Sequence, residues 1–525
     1  MNRNGSNLRL SASLKDEQYD AYVGQIARGV GMGSIGQGLS RILGYVTQVT
    51  MAWLYGPGLL GFYVLGTTLV QIANILSQFG MDNGVVRYVA HYEAEGDVKR
   101  VRGIILQALL VSFALSVAFS VLLFFGAGFL ATRVFDEPFL ETVFKAFSVS
   151  IPFFTVMSMA LWATQGFQTV RYTTYVQYVV RPLLNLVFIV VFYLFGVTVL
   201  GAVASYILSM ALGAVLALYY LRRIFPPLLD REVRPKFESR ALFKASAPMI
   251  MANLTQQVHS WLALLALGAF ESARSVGIYD VAFRTAALST LVLFAFNGIF
   301  SPMISSLYRR GLLQDLAYLY KDVSYWAFTG ALAFFLTTGL LAQDIMTVFG
   351  PKFIPGWPVI IAIAAAQLFN SSVGPTARVL AMTGHQRIVM FSTLASAVAA
   401  AVLNLLLVPV FGLFGAGVAT AAAVVLANVI TLLFVHRLLG FWPYSARYTK
   451  PIVAGLLAAV SVYLAKLVLP AYDGILALLI FTPLFLAVFL TLLVALGLSP
   501  SDRQFLASFW AAVRRNVRRA TPWSA

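Results

Sequence analysis

Residues 103–131 decide the class of fold, and they are GIILQALLVSFALSVAFSVLLFFGAGFLA, a stretch with no charged side chain. An α-helix rises about 1.5 Å per residue, so about 20 apolar residues cross the roughly 30 Å hydrocarbon core of a bilayer. Lipid offers the backbone no hydrogen-bond partners, so a spanning segment must satisfy its own N–H and C=O groups as a helix. The stretch therefore predicts a transmembrane helix.

Comparable apolar blocks follow one another along all 525 residues, of which 60% are hydrophobic and 11% charged. A soluble domain usually carries about 25% charged residues, so a soluble fold is excluded. We predict an all-α polytopic membrane protein with about 14 transmembrane helices. The predicted spans are 27–54, 59–80, 103–131, 142–165, 173–195, 198–221, 241–268, 278–304, 323–349, 357–383, 388–410, 413–436, 451–469 and 475–498.

The net charge of +17 follows membrane topology, because most Lys and Arg residues lie in alternate loops and in the two tails. Segments 81–102 and 222–244 contain four and seven Lys and Arg residues, whereas the intervening loops contain few. Under the positive-inside rule this predicts a multi-pass protein of the cytoplasmic (inner) membrane with both termini cytoplasmic. It also argues against nucleic acid as a partner. We expect the first apolar block to be a retained span, because it exceeds a signal-peptide core.

Two halves of the sequence resemble each other at an offset of 216 to 218 residues. The matched pairs are Gly61-Phe-Tyr-Val64 with Gly277-Ile-Tyr-Asp280, Gly166-Phe-Gln168 with Gly384-His-Gln386, and Gly196 to Gly201 with Gly412 to Gly417. Each half holds six predicted spans, so both halves have the same orientation. We expect two six-helix lobes related by a pseudo-two-fold axis along the membrane normal, as in several transporters.

This repeat divides the chain into segments of distinct character. They are a cytoplasmic N-terminal tail (1–23), an N-terminal lobe (24–222), a cytoplasmic linker (223–240), a C-terminal lobe (241–437), two additional transmembrane helices (450–498) and a basic cytoplasmic amphipathic tail (499–525). The tail either lies as an interfacial helix on anionic lipid or adds a positive-inside anchor.

Arg41 is the most informative charged position, because it lies near mid-depth of the first predicted span. A charge there costs about 2.5–3.5 kcal/mol on insertion scales, so it should face a wet cavity or a partner. Arg41 contacts an anionic substrate, or it pairs with a helix C-terminus or a carboxylate of a neighbouring span. The first alternative makes it a cavity residue.

Arg284 and Asp280 lie four residues apart in the eighth predicted span, a spacing that favours an ion pair on one helix face. Both are candidate cavity residues: Asp280 neutralises Arg284, or Arg284 contacts substrate, or Asp280 binds a proton or sodium ion. Arg181 and Arg378 lie nearer the cytoplasmic ends of their spans, which favours snorkelling of both side chains to the interface.

Asp82 and Arg87 follow the second predicted span and form a candidate cytoplasmic gate through a charge pair. The alternative is a helix-ending turn followed by positive-inside charge. The chain has no cysteine and no H-E-x-x-H motif, so we predict no metal site and no cofactor. Gly31-x-Gly33-x-x-Gly36 matches a dinucleotide fingerprint, but it lies in a membrane helix, where such spacing allows close helix packing.

Several of these motifs together resemble a known family. Ser40-Arg-Ile-Leu-Gly44, Leu60-Gly-Phe-Tyr63 and the segment from Gly80 to Asp97 are similar to the polysaccharide transporter family, the Wzx-type O-antigen and exopolysaccharide flippases. That family belongs to the multidrug/oligosaccharidyl-lipid/polysaccharide exporter superfamily, with the lipid II flippases and the MATE drug exporters. The resemblance covers most of the chain.

The resemblance implies a non-enzymatic function in polysaccharide biosynthesis. An undecaprenyl-pyrophosphate-linked oligosaccharide would be moved from the inner to the outer leaflet by alternating access through a cationic cavity. Arg41 matches a first-span arginine of the lipid II flippases, and Arg284 lies in a span that carries another cavity arginine there. The implied partners are the lipid-linked oligosaccharide, membrane lipids and a polysaccharide polymerase machinery. The alternative is an ion-coupled, MATE-like exporter of small amphiphilic molecules.

Overall fold

The computed structural model describes residues 4–230, 232–238, 242, 246, 257–258, 261–469, 473–497 and 502–503. Within these ranges, the side chains of 4–37, 291–292, 294–299 and 301–302 are not described. The described part of the chain is helical and contains no β-strand. Most of the predicted tail 499–525 and much of the predicted span 241–268 lie outside these ranges.

The chain forms two compact units, Met1–Val281 and Ala282–Ala525. In the first unit the helices are α1 Asn4–Gln78, α2 Met81–Ala94, α3 Val98–Phe129, α4 Phe139–Ser148, α5 Ser150–Gly166, α6 Arg171–Thr173, α7 Arg181–Leu194, α8 Val199–Ile224 and α9 Trp261–Phe270. Two π-helical segments, Leu130–Val134 and Thr174–Val180, follow α3 and α6. Helix α10, Ala273–Ala287, crosses the division between the units.

The helices of the second unit are α11 Thr290–Arg309, α12 Leu313–Thr347, α13 Trp357–Val373, α14 Thr376–Met382, α15 Gln386–Leu439, α16 Thr449–Val468 and α17 Ile475–Ala495. Short 3₁₀ turns at Pro351–Gly356 and Ala446–Tyr448 precede α13 and α16. Buried alanines and phenylalanines of α12, α16 and α17 form one hydrophobic cluster within this unit.

Ten helical stretches of the described chain are long and apolar enough to cross a membrane. Three of the described helices contain a break: Gly56 (φ 73°) interrupts α1, Leu341 (φ −117°) interrupts α12 and Gly412 (φ 53°) interrupts the 54-residue α15. At about 1.5 Å per residue α15 is far longer than a bilayer core, so the break at Gly412 makes two spans of it, as the sequence predicts. Leu405, Leu406 and Val410 are 59–70% exposed, as lipid-facing side chains must be. The prediction of an all-helical, multi-pass membrane protein is confirmed, whereas the count of 14 spans stays a prediction.

One matched glycine pair of the proposed repeat shares a positive φ, whereas in the pair Gly166 and Gly384 only Gly384 (φ 90°) has one. Gly196 (φ 76°) lies in the turn between α7 and α8, and its counterpart Gly412 lies at the break in α15. Both have the left-handed backbone that favours glycine. The turn that separates the last two spans of each proposed repeat therefore contains a glycine with a positive φ. The symmetry axis itself stays a prediction.

The other matched pair, Gly61 and Gly277, lies where two helices of the first unit meet. A Cβ on Gly61 would fall 1.7 Å from the carbonyl oxygen of Ala273, and one on Gly277 would fall 2.1 Å from that of Pro57. Real Cβ atoms do not approach this closely, so α1 and α10 touch backbone to backbone. This contact explains why small residues recur here, and it brings the residues after Gly277 close to α1.

The predicted linker 223–240 packs along the start of α3. After the 3₁₀ turn Pro226–Leu228, the Arg102 side chain, 9% exposed, donates from Nε to the Leu228 carbonyl at 3.1 Å and from Nη1 to the Val233 carbonyl. The Lys236 amide donates to the Lys99 carbonyl at 3.0 Å. The described part of the linker is therefore a strap bound to the first unit. The predicted lobe boundaries at 222 and 241 differ from the division between the units after Val281, and they stay a prediction.

Candidate functional site

Arg41 lies on an uncovered stretch of α1. Its side chain is exposed, Ile42 beside it is 62% exposed, and a Cβ built on Gly38 or Gly44 would meet no atom within 4 Å. One to two turns later the same helix is buried, since Thr47 and Gln48 are 8% and 5% exposed. The transition places Arg41 where the helix emerges from the packed interior of the first unit.

Asp280 lies in the packed interior, 4% exposed, and its Oδ2 accepts a hydrogen bond of 2.8 Å from Gln48 Nε2. Gln48 follows Arg41 by seven residues, two helical turns, so both side chains lie on the same face of α1. The Gln48 Oε1 atom is buried with no hydrogen-bond partner among the described residues. Arg41 and Gln48 therefore place two polar side chains on one face of α1, and the second of them contacts Asp280.

Sequence reasoning did not single out Gln48, because an uncharged glutamine in an apolar block gives little signal. Its hydrogen bond joins it to Asp280, which lies 232 positions away in the sequence. Arg284 lies one turn after Asp280 on α10 and is exposed, whereas Asp280 is buried. The helix thus presents the acid to α1 and leaves the arginine accessible.

Asp82 and Arg87 both lie on the short helix α2, and they differ in environment. Asp82 is in the first turn, 5% exposed, where a carboxylate interacts favourably with the helix N-terminus. Arg87 is exposed. No ion pair joins the two in the described structure, because a separation of five residues turns the side chains about 140° apart around a helix. A gate between them would need a different conformation.

A group of aromatic and polar side chains in the first unit was not predicted as a site. Asn185 Nδ2 on α7 donates to the Tyr63 hydroxyl of α1 at 3.3 Å. The Tyr63 ring lies 6.2 Å from that of Tyr206 on α8. Arg181, one turn before Asn185, lies within electrostatic range of Tyr206. The sequence signals in this group were Arg181, interpreted as a snorkelling side chain, and Asn185, which lies in the span that corresponds to that of Asn404.

The second unit holds two ion pairs between α12 and the segment of α16. Arg447, just before α16, contacts Asp322 Oδ1 at 2.6 Å and Asp502 Oδ1 at 2.8 Å. Near the other end of both helices, Lys466 Nζ lies 2.5 Å from Asp344 Oδ2, and Asp344 is 5% exposed. These pairs join helices rather than line an opening, so we assign them a structural role.

Comparison with known proteins identifies similar chains. Residues 26–308 match the model of a family described as polysaccharide biosynthesis protein. A probable low-salt glycan biosynthesis flippase of Haloferax volcanii is 25% identical over 219 residues, 41% of this chain and 46% of the relative. Stage V sporulation protein B of Bacillus subtilis is 26% identical over 202 residues, 38% of this chain and 39% of the relative. These matches span less than half the length of either relative.

Solved structures show the fold more completely. The lipid II flippase MurJ in an inward closed conformation superposes with a TM-score of 0.67 at 13% identity, covering 87% of this chain and 97% of that one. An inward-facing multidrug resistance MATE family transporter of the MOP superfamily gives 0.61 at 14% identity, covering 76% and 94%. At these identities the likeness is one of fold.

Proposed function

Because the chain belongs to the family of polysaccharide biosynthesis proteins, as its motifs predict, we propose that it is a flippase for a lipid-linked oligosaccharide. The observation that carries this proposal is the family match across more than half of the chain. The relative from Haloferax volcanii, named as a glycan biosynthesis flippase, supports it. The MurJ-like fold supports it as well, since that fold suits the transport of a lipid with a large polar head.

The proposed substrate is an undecaprenyl-pyrophosphate-linked oligosaccharide, moved from the inner to the outer leaflet of the cytoplasmic membrane. A glycan cannot cross hydrocarbon unaided, because its hydroxyls would lose water without gaining hydrogen bonds. In a conformation that opens the packed interior around it, the Gln48 Oε1 atom of α1 would accept such a bond while the lipid tail stays in the bilayer. Arg41 and Arg284 would hold the pyrophosphate through charge-assisted hydrogen bonds.

The proposed transport mechanism is alternating access, and it implies locations for the termini and for the gate. Both termini lie in the cytoplasm, and rocking of one six-helix lobe against the other exposes the site to each side in turn. A negative-inside potential favours outward movement of the anion by about 2.3 kcal/mol per charge per 100 mV. Asp82 and Arg87 would close the cytoplasmic side through a charge pair, in a conformation that brings the two side chains within reach of each other. A polysaccharide polymerase would then use the product.

The second candidate is an ion-coupled exporter of small amphiphilic molecules. The buried carboxyl of Asp280 favours it, because intramembrane acids often carry a proton or cation through a transport cycle. Transport of a cationic dye driven by a proton or sodium gradient, with no movement of lipid-linked glycan, would select this function.

The test is flipping by the purified protein in vesicles that contain a lipid-linked oligosaccharide with a fluorescent glycan. Wild-type protein should make the inner-leaflet pool accessible to a membrane-impermeant quencher. Arg41→Ala should slow this about tenfold or more, the effect of losing a charged hydrogen bond of about 1.5–3 kcal/mol, and Arg41→Lys should retain part of the rate. Wild-type vesicles no faster than protein-free ones would overturn the flippase proposal. A wild-type rate in Arg41→Ala would remove Arg41 from the site.

A further inference from the structure

Arg181 carries a charge inside an apolar helix and has no ionic partner among the residues that the structure describes. It lies ten residues into the candidate span Arg171–Leu194, about 15 Å along the helix. Its Nε is buried, and within the described part of the chain the guanidinium makes no hydrogen bond and no ion pair. Snorkelling, which the sequence favours, would bring the guanidinium into water, whereas this one is half-buried with its Nε covered. An arginine inside a membrane span is a candidate functional site, and the ligand that suits its charge is an anion.

The groups around Arg181 complete a polar site. The Asn185 amide lies one turn further on the same face of α7, and its Oδ1 is also buried without a hydrogen-bond partner in the described chain. The Tyr63 hydroxyl accepts a hydrogen bond from this amide, and the Tyr206 ring lies 6.2 Å from the Tyr63 ring and within electrostatic range of Arg181. None of these neighbours is acidic, so none neutralises the guanidinium.

The backbone immediately before Arg181 is irregular. Thr174–Val180 forms a π-helical turn, and Pro182, which has no N–H, follows Arg181. π-helical turns recur at functional sites, where the extra residue changes the phase of the helix. The π-helical turn rotates the Arg181 and Asn185 side chains around the helix axis relative to Arg171, which is exposed at the start of the same span.

We propose that Arg181, Asn185, Tyr63 and Tyr206 form a binding site for one oxyanion, a phosphate or carboxylate group, within the first unit. The guanidinium donates two parallel hydrogen bonds to the oxyanion. The tyrosine hydroxyls donate further bonds, and the Asn185 Oδ1 accepts from a hydroxyl of the same ligand. The site uses neither Arg41 nor Arg284, and its existence does not depend on the proposed flippase function.

The test is the thermal unfolding of the full-length protein in phosphatidylcholine nanodiscs, with sodium phosphate against sodium chloride at equal ionic strength. A ligand that binds only the native state raises the Tm. We expect phosphate to raise the Tm of the wild type and of Arg378→Gln, whose arginine is an exposed control in another helix. We expect apparent affinity to fall about tenfold or more in Arg181→Gln, which loses the charged donor.

Asn185→Asp tests the same site without removing the arginine. Its carboxylate, one turn from Arg181, would neutralise the guanidinium from within and abolish the phosphate effect, while Arg181→Lys should keep part of it. If Arg181→Gln fails to fold, Asn185→Asp carries the test. An equal phosphate effect in the wild type, Arg181→Gln and Asn185→Asp, or none in the wild type, would overturn the proposal.

The source of the oxyanion is distinguished by adding phosphatidic acid to the nanodiscs. If a lipid headgroup occupies the site, phosphatidic acid raises the Tm of the wild type and soluble phosphate adds nothing further. If the ligand is soluble, phosphate acts equally in both membranes. Either result supports the site only when Arg181→Gln abolishes the effect.

Discussion

Individual glycines set the tightest contact in the first unit. Gly277 and Gly61 allow α10 and α1 to meet with no side chain between them, so the contact has no rotamers that could adjust to added volume. Overpacking in a membrane interior is relieved only by moving a backbone. These positions should therefore be among the least tolerant of the chain.

We predict that Gly277→Ala lowers the free energy of unfolding by more than the 1–3 kcal/mol, roughly, of ordinary overpacking. Gly126→Ala is the matched control, because it lies in helix α3, where an added Cβ meets no atom within 4 Å. That control should be neutral or slightly stabilising, since alanine favours helix more than glycine does. Thermal unfolding in detergent measures both, and equal Tm values for the two variants would contradict the backbone contact.

The proposed cytoplasmic gate consists of two individual residues, Asp82 and Arg87. If Asp82 and Arg87 pair in another conformation, Asp82→Arg and Arg87→Asp should each reduce transport, and the double reversal should restore much of it. The flipping assay measures all three variants. Failure of the double variant to exceed the single ones would leave Asp82 as a helix-starting residue and Arg87 as a topogenic charge.

At the scale of elements, the strap 226–238 shows how a loop becomes part of a packed unit. Arg102 is almost fully buried, and the Cβ of any larger residue at Gly103 would fall 1.9 Å from the Lys236 carbonyl oxygen. Arg100 adds an ion pair with Glu238 at 3.4 Å. The buried guanidinium of Arg102 donates hydrogen bonds to backbone carbonyls that would otherwise lose water without a new partner. The attachment of the strap therefore depends chiefly on this one side chain.

We predict that Arg102→Ala releases the strap and speeds its cleavage by a glutamate-specific protease after Glu232. Loss of two hydrogen bonds to a charged donor costs about 1.5–3 kcal/mol each, enough to increase a locally open state tenfold or more. Arg222→Ala, which removes an exposed arginine nearby, should leave cleavage unchanged. Unchanged cleavage in Arg102→Ala would show that backbone contacts alone hold the strap.

For the whole molecule, hydrophobic length and charge asymmetry predicted the class of fold, because membranes impose both. Spans such as 103–131 and the glycine turns at Gly196 and Gly412 could be located from sequence for that reason. The partnership of Gln48 with Asp280 could not, since it joins residues that only tertiary packing brings together. The irregular turn before Arg181 was equally hidden, because a π-helix has no distinct residue pattern.

The second unit as a whole depends on how its last two helices are attached. Ion pairs join α12 to the segment of α16 near both ends, and a shared apolar cluster fills the space between. We predict that Lys466→Ala lowers the free energy of unfolding by about 1–3 kcal/mol, because it leaves the Asp344 carboxylate uncompensated. The measurement is thermal or denaturant unfolding.

Lys145→Ala provides the control for that prediction. Lys145 lies 2.6 Å from Glu141, but both side chains are about 40% exposed, and such pairs contribute little. This variant should unfold within about 0.5 kcal/mol of the wild type. Equal losses in the two variants would mean that burial does not distinguish the pairs.

Because α16 is attached to α12 near both ends, we expect α12, α16 and α17 to move as one rigid group. A rigid group of helices tilts as one body. A spectroscopic label on its outer surface therefore reports the tilt of the inner helix, α12. Leu479 on α17 is 66% exposed, and the chain has no native cysteine to compete for the label. A spectroscopic label on a single cysteine at this position would therefore measure how the second unit tilts during a transport cycle.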